Sequence, residues 1–278
     1  MWRDLTRSVR IWGWGMLEVV TVATAADAAG AMTPQSRFMG GGTLIMNRVN
    51  YGDQRFNRIV RCTDPTLKSI RGDGDRVVIG AHVTMPELIA APDTQFLAIA
   101  ARAVGGPAIR NMATVGGNLV APHPYGDLAV VLLVLDAQVR MANGSEQPLE
   151  RFLTSRDGIV ASVSIRRPQG DALRFRKVSR VKPKGVSVMS MAAHLPRGTG
   201  RLSQVTVAYG AMGATPQRVA TVEAALEGAS LDAAGIAPAL SVATDGLDPP
   251  DDALASAWYR REVAPVHLRR LLLGEERR

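Results

Sequence analysis

Apolar and polar positions change rhythm along the 278-residue chain, and the changes divide it into three stretches. From residue 16 to about 70, strand-like runs alternate with helical ones. A strand over 18–22 leads into a helix over 24–32, with Thr24 as its N-cap and Asp27 as the acidic residue of a capping-box-like start. Ser36-Arg37-Phe38-Met39 then runs into Gly40-Gly41-Gly42, a helical stretch over 43–49 and a strand over 57–62. Between 76 and 168 the pattern gives a buried strand over 77–81 and helical stretches over 85–91 and 94–104. A long Gly-, Pro- and Asn-rich segment over 105–126 follows, then an apolar helix over 127–135 and strands over 138–142 and 158–166. Pro168-Gln169-Gly170 marks a boundary. Beyond it, alternation over 174–180, 186–195 and 201–212 predicts an antiparallel sheet. Helices over 219–227, 231–240 and 254–272 close the chain, the last with Pro265 inside it. The expected class is α+β, with an N-terminal extension at 1–15, a first domain at 16–168 (subdomains about 16–70 and 71–168) and a second domain at 169–275.

Composition narrows the chemistry. Hydrophobic residues make up 46% of the chain, as in ordinary globular proteins. The net charge of +8 comes from scattered arginines, and only 5% of residues are aromatic. This lacks the basic–aromatic interleaving of nucleic-acid surfaces; it reads as solvated surface charge or as a face for an acidic partner. Arg3, Arg7 and Arg10 before the apolar residues 11–17 imitate a signal peptide, but Glu18 interrupts the run and Asp27 falls in the mock cleavage site. Residues 1–15 are therefore read as an upstream extension from an early start codon. No uncharged apolar run reaches about 18 residues, so no membrane span is expected. One cysteine, Cys62, excludes an internal disulfide, fits a reducing cytoplasmic compartment, and is too few for an iron–sulfur cluster on this chain. His82, His123, His194 and His267 lie too far apart in sequence to suggest a zinc site.

A cofactor held here must be gripped by backbone and polar groups, and two segments suit that purpose. Gly40-Gly41-Gly42-Thr43 precedes a helix, and Thr114-Val115-Gly116-Gly117-Asn118 lies in the Gly-rich segment. Glycines let a ligand approach the main chain, and successive N–H groups there form an anion nest. Thr43 and Thr114 add hydroxyls and Asn118 a carboxamide; two such loops facing each other would enclose a diphosphate. Neither fits the G-x-G-x-x-G or Walker pattern, so spacing alone indicates no more than a dinucleotide site.

Taken together, the motifs resemble a known family. Residues 38–45, Phe38-Met39-Gly40-Gly41-Gly42-Thr43-Leu44-Ile45, are similar to the first FAD loop of the flavin subunits of molybdenum hydroxylases, the xanthine dehydrogenase and carbon-monoxide dehydrogenase type. Residues 105–119, from Gly105-Gly106-Pro107 to Thr114-Val115-Gly116-Gly117-Asn118-Leu119, resemble the second loop almost position for position. Tyr125-Gly126-Asp127-Leu128, Arg176-Lys177-Val178-Ser179-Arg180, Val186-Ser187-Val188 and Gly210-Ala211-Met212-Gly213 extend the likeness over about residues 16–275. The resemblance implies a vanillyl-alcohol-oxidase-like (PCMH-type) FAD-binding fold of two α+β subdomains, followed by an α+β C-terminal domain. It implies non-covalent FAD held by Arg37, Phe38, Met39, Gly40, Gly41, Gly42, Thr43, Gly105, Thr114, Gly116, Gly117, Asn118, Val120, Asp127 and Ser187. For Asp127 the expectation is hydrogen bonding to sugar or ribityl hydroxyls, with helix N-capping as the alternative. Tyr125 is expected either to stack on the flavin or to pack. The expected partners are a large molybdenum-cofactor subunit and a small iron–sulfur subunit, in a heterotrimer or its dimer. Electrons would pass through FAD to NAD+ or another acceptor, with no acid–base pair or metal on this chain. A stand-alone FAD oxidase or reductase, and a nucleotide-binding scaffold without turnover, remain open alternatives.

Overall fold

The computed structural model describes residues 17–181 and 185–275, together with the backbone of residues 7–9. The reading of 1–15 as an extension lies largely outside the described residues. Its exception is strand β1 (Arg7–Val9), which pairs antiparallel with the start of β2 (Leu17–Val22). Helix α1 (Ala25–Gly30) opens on Thr24, whose Oγ1 accepts the Asp27 N–H at 3.1 Å and donates to the Asp27 carboxylate at 2.7 Å. Then come β3 (Ser36–Phe38), α2 (Ile45–Asn50) and β4 (Arg58–Cys62). The sheet order is β1-β2-β4-β3, with β4 parallel to both β2 and β3. This subdomain has a small core around Ala28 and Val60, completed by Ile159 from the next one.

A 3-10 turn over Pro65–Lys68 leads into the second subdomain. Strands β5 (Ile70–Asp73) and β6 (Arg76–Gly80) form a hairpin about Gly74. Helix α3 (Met85–Ala90), with a Thr84/Glu87 capping box, is followed by a 3-10 turn over Pro92–Leu97 and the one-turn helix α4 (Ala98–Ala101), where the sequence pattern predicts one helix over 94–104. The Gly-rich segment carries two short helices, α5 (Pro107–Arg110) and α6 (Val115–Leu119), before α7 (Asp127–Val134). Strand β7 (Gln138–Met141), the polar strand β8 (Glu146–Pro148), helix α8 (Leu149–Ser155) and β9 (Val160–Arg166) complete an antiparallel sheet of order β5-β6-β9-β7-β8.

The C-terminal part builds a second antiparallel sheet from β10 (Leu173–Ser179), β11 (Ser187–His194), β14 (Thr206–Gly210) and β15 (Gln217–Arg218), in the order β10-β11-β14-β15. The hairpin β12 (Arg197–Gly198) and β13 (Arg201–Leu202) stands apart. The alternation over 201–212 is thus two strands rather than one, broken where Gln204 takes a φ of 53°. Helices α9 (Ala220–Leu226), α10 (Ala237–Ser241) and α11 (Ala257–Leu273) cover one face, and α11 runs through Pro265. The helix predicted over 231–240 is regular only at its end.

All eight residues of α7 are buried. The second subdomain's core packs on one side of it, and β11 and β14 lie across the other. Val130 touches Gly210, and the carbonyl of Val134 accepts from Thr206 Oγ1 at 2.7 Å. A helix apolar all round is what a position between two sheets requires. This helix fixes the C-terminal domain to the two glycine segments that precede it.

Candidate functional site

The two glycine segments meet. A Cβ placed on Gly41 would fall 1.5 Å from the Met112 carbonyl oxygen, and one on Gly40 would fall 2.7 Å from Thr114 Oγ1. No side chain fits at Gly41 without separating the loops, so glycine there serves the junction itself. On the second loop, Gly116 lies against Ala81, a Cβ there coming within 2.9 Å of the Ala81 Cβ, and its N–H donates to the Ala81 carbonyl at 2.8 Å. Gly117 differs: within 4 Å its added Cβ would meet only Thr114 Oγ1, at 3.0 Å. Gly40, Gly41 and Gly116 let protein meet protein, whereas Gly117 faces open space.

Local chemistry explains how each loop is held. Strand β3 delivers the first loop, anchored by the Met39 N–H on the Val60 carbonyl at 2.9 Å. Gly42 turns the chain into α2 at a φ of 76°, packed by Met39 and Met46. Among the described residues, the N–H groups of Gly40, Gly41, Gly42, Thr43 and Leu44 donate to no protein acceptor, so this run is available to an anion. In the second loop Thr114 caps α6, its hydroxyl accepting from Gly117 N at 3.2 Å. Val115 N donates to the Val83 carbonyl at 2.9 Å, and Gly105, at a φ of 50°, gives its carbonyl to Arg110 at 2.7 Å.

Other expected site residues lie around this junction with varied uses. Phe38 stacks on His82 with ring centroids 5.5 Å apart, whereas Arg37 points to the other side of the strand, over Phe56 and onto the Ser36 carbonyl. Val120 is exposed beyond α6. Asn118 Oδ1 accepts from Leu128 N at 3.0 Å and so caps α7 across the loop. This corrects the N-capping alternative for Asp127: the N-cap position is Gly126, at a φ of 103°, and Asp127 is the first helical residue. The Asp127 carboxylate is occupied internally, ion-paired to Lys177 Nζ at 2.8 Å and accepting from Ser187 Oγ at 2.5 Å. Both Asp127 and Ser187 are buried, so their side chains couple domains behind the loops instead of opening onto them.

Sequence reasoning missed Lys177, His82 and Arg260. Lys177 Nζ bridges Asp127 and the Ala103 carbonyl, and one of only four lysines inside a strand was the available signal. His82 is buried under the first loop, and burial pushes its imidazole below the usual pKa, with Lys68 adding to the effect and Asp64 opposing it. Arg260 is fully buried, and its guanidinium meets Asp252 at 3.0 and 2.9 Å and the Val188 carbonyl at 2.9 Å. Asp252 in turn meets His123 Nε2 at 2.8 Å. Burial alone would raise the Asp252 carboxyl; the hydrogen bonds from His123, Arg260, Ala255 N and Leu254 N outweigh it and hold it well below the usual range.

A cavity of about 560 Å³ lies elsewhere, between Arg76, Asp136, Arg167, His194 and Arg218 at the far end of α7. Arg167 there is paired with Asp93 and Arg218 with Glu223 and Asp136, while Arg76 donates to the Ser164 hydroxyl and carbonyl, so the cavity has less to offer an anion than the open amides at the loops. Among the described residues no group of His, Cys, Asp or Glu could hold a metal ion, and no helix is long and apolar enough to cross a membrane.

The chain is similar to known proteins along most of its length. Residues 13–165 match the family described as the FAD binding domain in molybdopterin dehydrogenase, and residues 174–274 match the CO dehydrogenase flavoprotein C-terminal domain. A putative xanthine dehydrogenase FAD-binding subunit of Escherichia coli is 27% identical over 234 residues, 76% of this chain and 79% of the relative. The carbon monoxide dehydrogenase medium chain of Hydrogenophaga pseudoflava is 24% identical over 273 residues, 91% of this chain and 93% of that one. A solved carbon monoxide dehydrogenase from Hydrogenophaga pseudoflava superposes with a TM-score of 0.82 at 21% identity, covering 91% of this chain and 95% of that chain.

Proposed function

Because the chain belongs to the family that carries the FAD binding domain of molybdopterin dehydrogenases, we propose that the junction of the two glycine loops is where it holds FAD, and that it works as the electron-relaying subunit of a molybdenum hydroxylase. The observation that carries the placement is the meeting of Gly40 and Gly41 with Met112 and Thr114, beside a run of uncommitted N–H groups. That arrangement fits a diphosphate: it offers donors and no Cβ at Gly117, and Asp127, the acidic residue behind the loops, is paired with Lys177. Gly40, Gly41, Gly42 and Thr43 would supply one wall, and Thr114, Gly117 and the start of α6 the other. Gly105, Gly116 and Asn118 shape the second wall, and Asp127 and Ser187 brace it from behind.

When bound, FAD supplies the redox chemistry; this chain's residues bind it, orient it and control access to it. The relatives named as medium chains and FAD-binding subunits support assembly with a large molybdenum-cofactor subunit and a small iron–sulfur subunit. With a single cysteine and no metal-binding cluster among the described residues, this chain depends on such partners for electrons. The acceptor is taken to be NAD+ or oxygen and the compartment the cytoplasm. The test is purification of the full chain with and without co-expressed partners. One FAD per chain, released by denaturation and so non-covalent, together with co-elution of the two partners, is the expected result. A colourless chain that takes up no added FAD would refute the reading.

A further inference from the structure

The loop between α6 and α7 is fastened along its whole length. Arg156 Nη1 donates to the Ala121 carbonyl at 2.7 Å, and Tyr125 N closes a turn onto the Pro122 carbonyl at 2.9 Å. His123 is held by Asp252, which is locked to the buried Arg260. At the far end Asp127 is held by Lys177 and Ser187, and Leu128 N by Asn118. The two charged clusters converge on neighbouring residues of the C-terminal sheet: Ser187 donates to Asp127, and the Val188 carbonyl accepts from Arg260. Pro122 and Pro124 remove further freedom.

This much restraint ends in one large aromatic side chain that stays about half exposed. Tyr125 is 46% exposed, at the centre of the fastened segment. It stands next to the second glycine loop, since a Cβ on the adjacent Gly126 would lie 3.4 Å from the Asn118 carbonyl. A tyrosine has few rotatable bonds, so a rigid loop presents its ring at little entropic cost to binding.

We propose that this loop is a clamped platform that presents the Tyr125 ring to an aromatic ring of the bound dinucleotide. Tyr125 is then a cofactor-contacting residue, and His123, Asp252 and Arg260 are positioning residues that act through it. The inference rests on the FAD reading above and adds to it a specific contact and the interdomain device behind it. Stacking uses the ring face and not the hydroxyl, so Tyr125→Phe should behave as wild type. Loss of one aromatic stacked on a base weakens binding about tenfold, which is the effect expected of Tyr125→Ala.

The experiment is titration of the flavin-free full chain with FAD, followed by flavin absorbance and emission, beside a parallel titration with ADP. Tyr125→Ala should bind FAD about tenfold more weakly than wild type, with an unchanged melting temperature before FAD is added. If the stacked ring is the isoalloxazine, bound-flavin emission rises and ADP affinity stays constant; if it is the adenine, ADP affinity falls and emission stays constant. His123→Ala should weaken FAD binding in the same direction by a smaller factor, with His123→Gln, which keeps a donor towards Asp252, restoring most of it. Tyr125→Ala with wild-type affinity, absorbance and emission would overturn the proposal, as would a Tyr125→Phe defect equal to that of Tyr125→Ala. A wild-type chain that takes up no FAD would instead fail the underlying functional reading, so the two failures are distinguishable.

Discussion

Gly117→Val separates a glycine kept for a ligand from one kept for the fold. The residue lies in α6, and beyond its chain neighbours and the helix's own backbone the only atom within 4 Å of an added Cβ is Thr114 Oγ1, at 3.0 Å. Valine improves helix propensity over glycine by a few tenths of a kcal/mol. Displacing the Thr114 hydroxyl weakens its cap on Gly117 N, at about 1 kcal/mol. The net change in stability is therefore within about 1 kcal/mol, a melting shift of roughly 2–4 °C for a chain of this size. Binding responds differently, because the valine methyls occupy the open side of the loop. Losing two hydrogen bonds to a charged diphosphate costs about 3–6 kcal/mol, or roughly 10²–10⁴ in affinity. The assay pairs thermal unfolding of the flavin-free variant with FAD titration and the absorbance of the purified protein. A variant that keeps stoichiometric flavin at wild-type affinity would refute the placement of the diphosphate beside Gly117. A variant that loses flavin only because its melting point collapses would refute the claim that this position is open.

Three further outcomes follow from the same geometry. Gly41→Ala puts a Cβ 1.5 Å from the Met112 carbonyl oxygen, so the loops must part; overpacking of this kind costs about 1–3 kcal/mol, and FAD titration and thermal unfolding should both deteriorate, in contrast to Gly117→Val. Lys177→Met leaves the buried Asp127 carboxylate without its cation and should cost about 3–5 kcal/mol in chemical denaturation, with the double variant Lys177→Met/Asp127→Leu recovering part of the loss. Asp252 has a folded-state pKa held below its unfolded value, so it contributes stability above the unfolded carboxylate range near pH 4 and loses it as pH falls further. Asp252→Asn should therefore be less stable than wild type at pH 7 and show a flatter decline below pH 4, measured by denaturant midpoints across pH.

The features legible in the sequence were those whose cause is local. Thr24 with Asp27, the glycine run before α2, the apolar stretch of α7 and the strand-forming runs of β10 and β11 each carry their explanation within a few neighbouring residues, although β11 is buried along nearly its whole length instead of alternating. Helix α6 was hidden because Gly116 and Gly117 argue against a helix; the Thr114 cap and the packing of Gly116 on Ala81 override that preference. Strand β8 was missed because Glu146-Gln147-Pro148 has no apolar face, its place being set by pairing with β7. The partners of Asp127 lie 50 and 60 residues away, and Asp252 is 129 residues from His123. No local pattern states which distant cation or hydroxyl reaches a carboxylate, so an exposed ligand-facing Asp127 and a buried braced one look alike in sequence.

That same buried carboxylate bears on how the stretches of the two separate family matches, 13–165 and 174–274, are joined. Asp127, Val130 and Val134 occupy positions i, i+3 and i+7 of α7 and so share a face. Asp127 meets Lys177 and Ser187, Val130 meets Gly210, and the Val134 carbonyl meets Thr206. Every one of these contacts comes from the C-terminal domain. Without that domain the first would present an apolar helix face to water and an unpaired carboxylate at the end adjoining the second glycine loop. Burying the face gives the hydrophobic gain, and the Lys177 and Ser187 contacts fix the rotation of α7 about its axis, which burial alone leaves free. Since Asn118 caps α7, that rotation also sets the attitude of α6 and hence of Gly117. On the proposed placement of FAD, the C-terminal domain is thus part of the binding apparatus without lining it: it holds the second glycine loop at the angle at which the first can meet it.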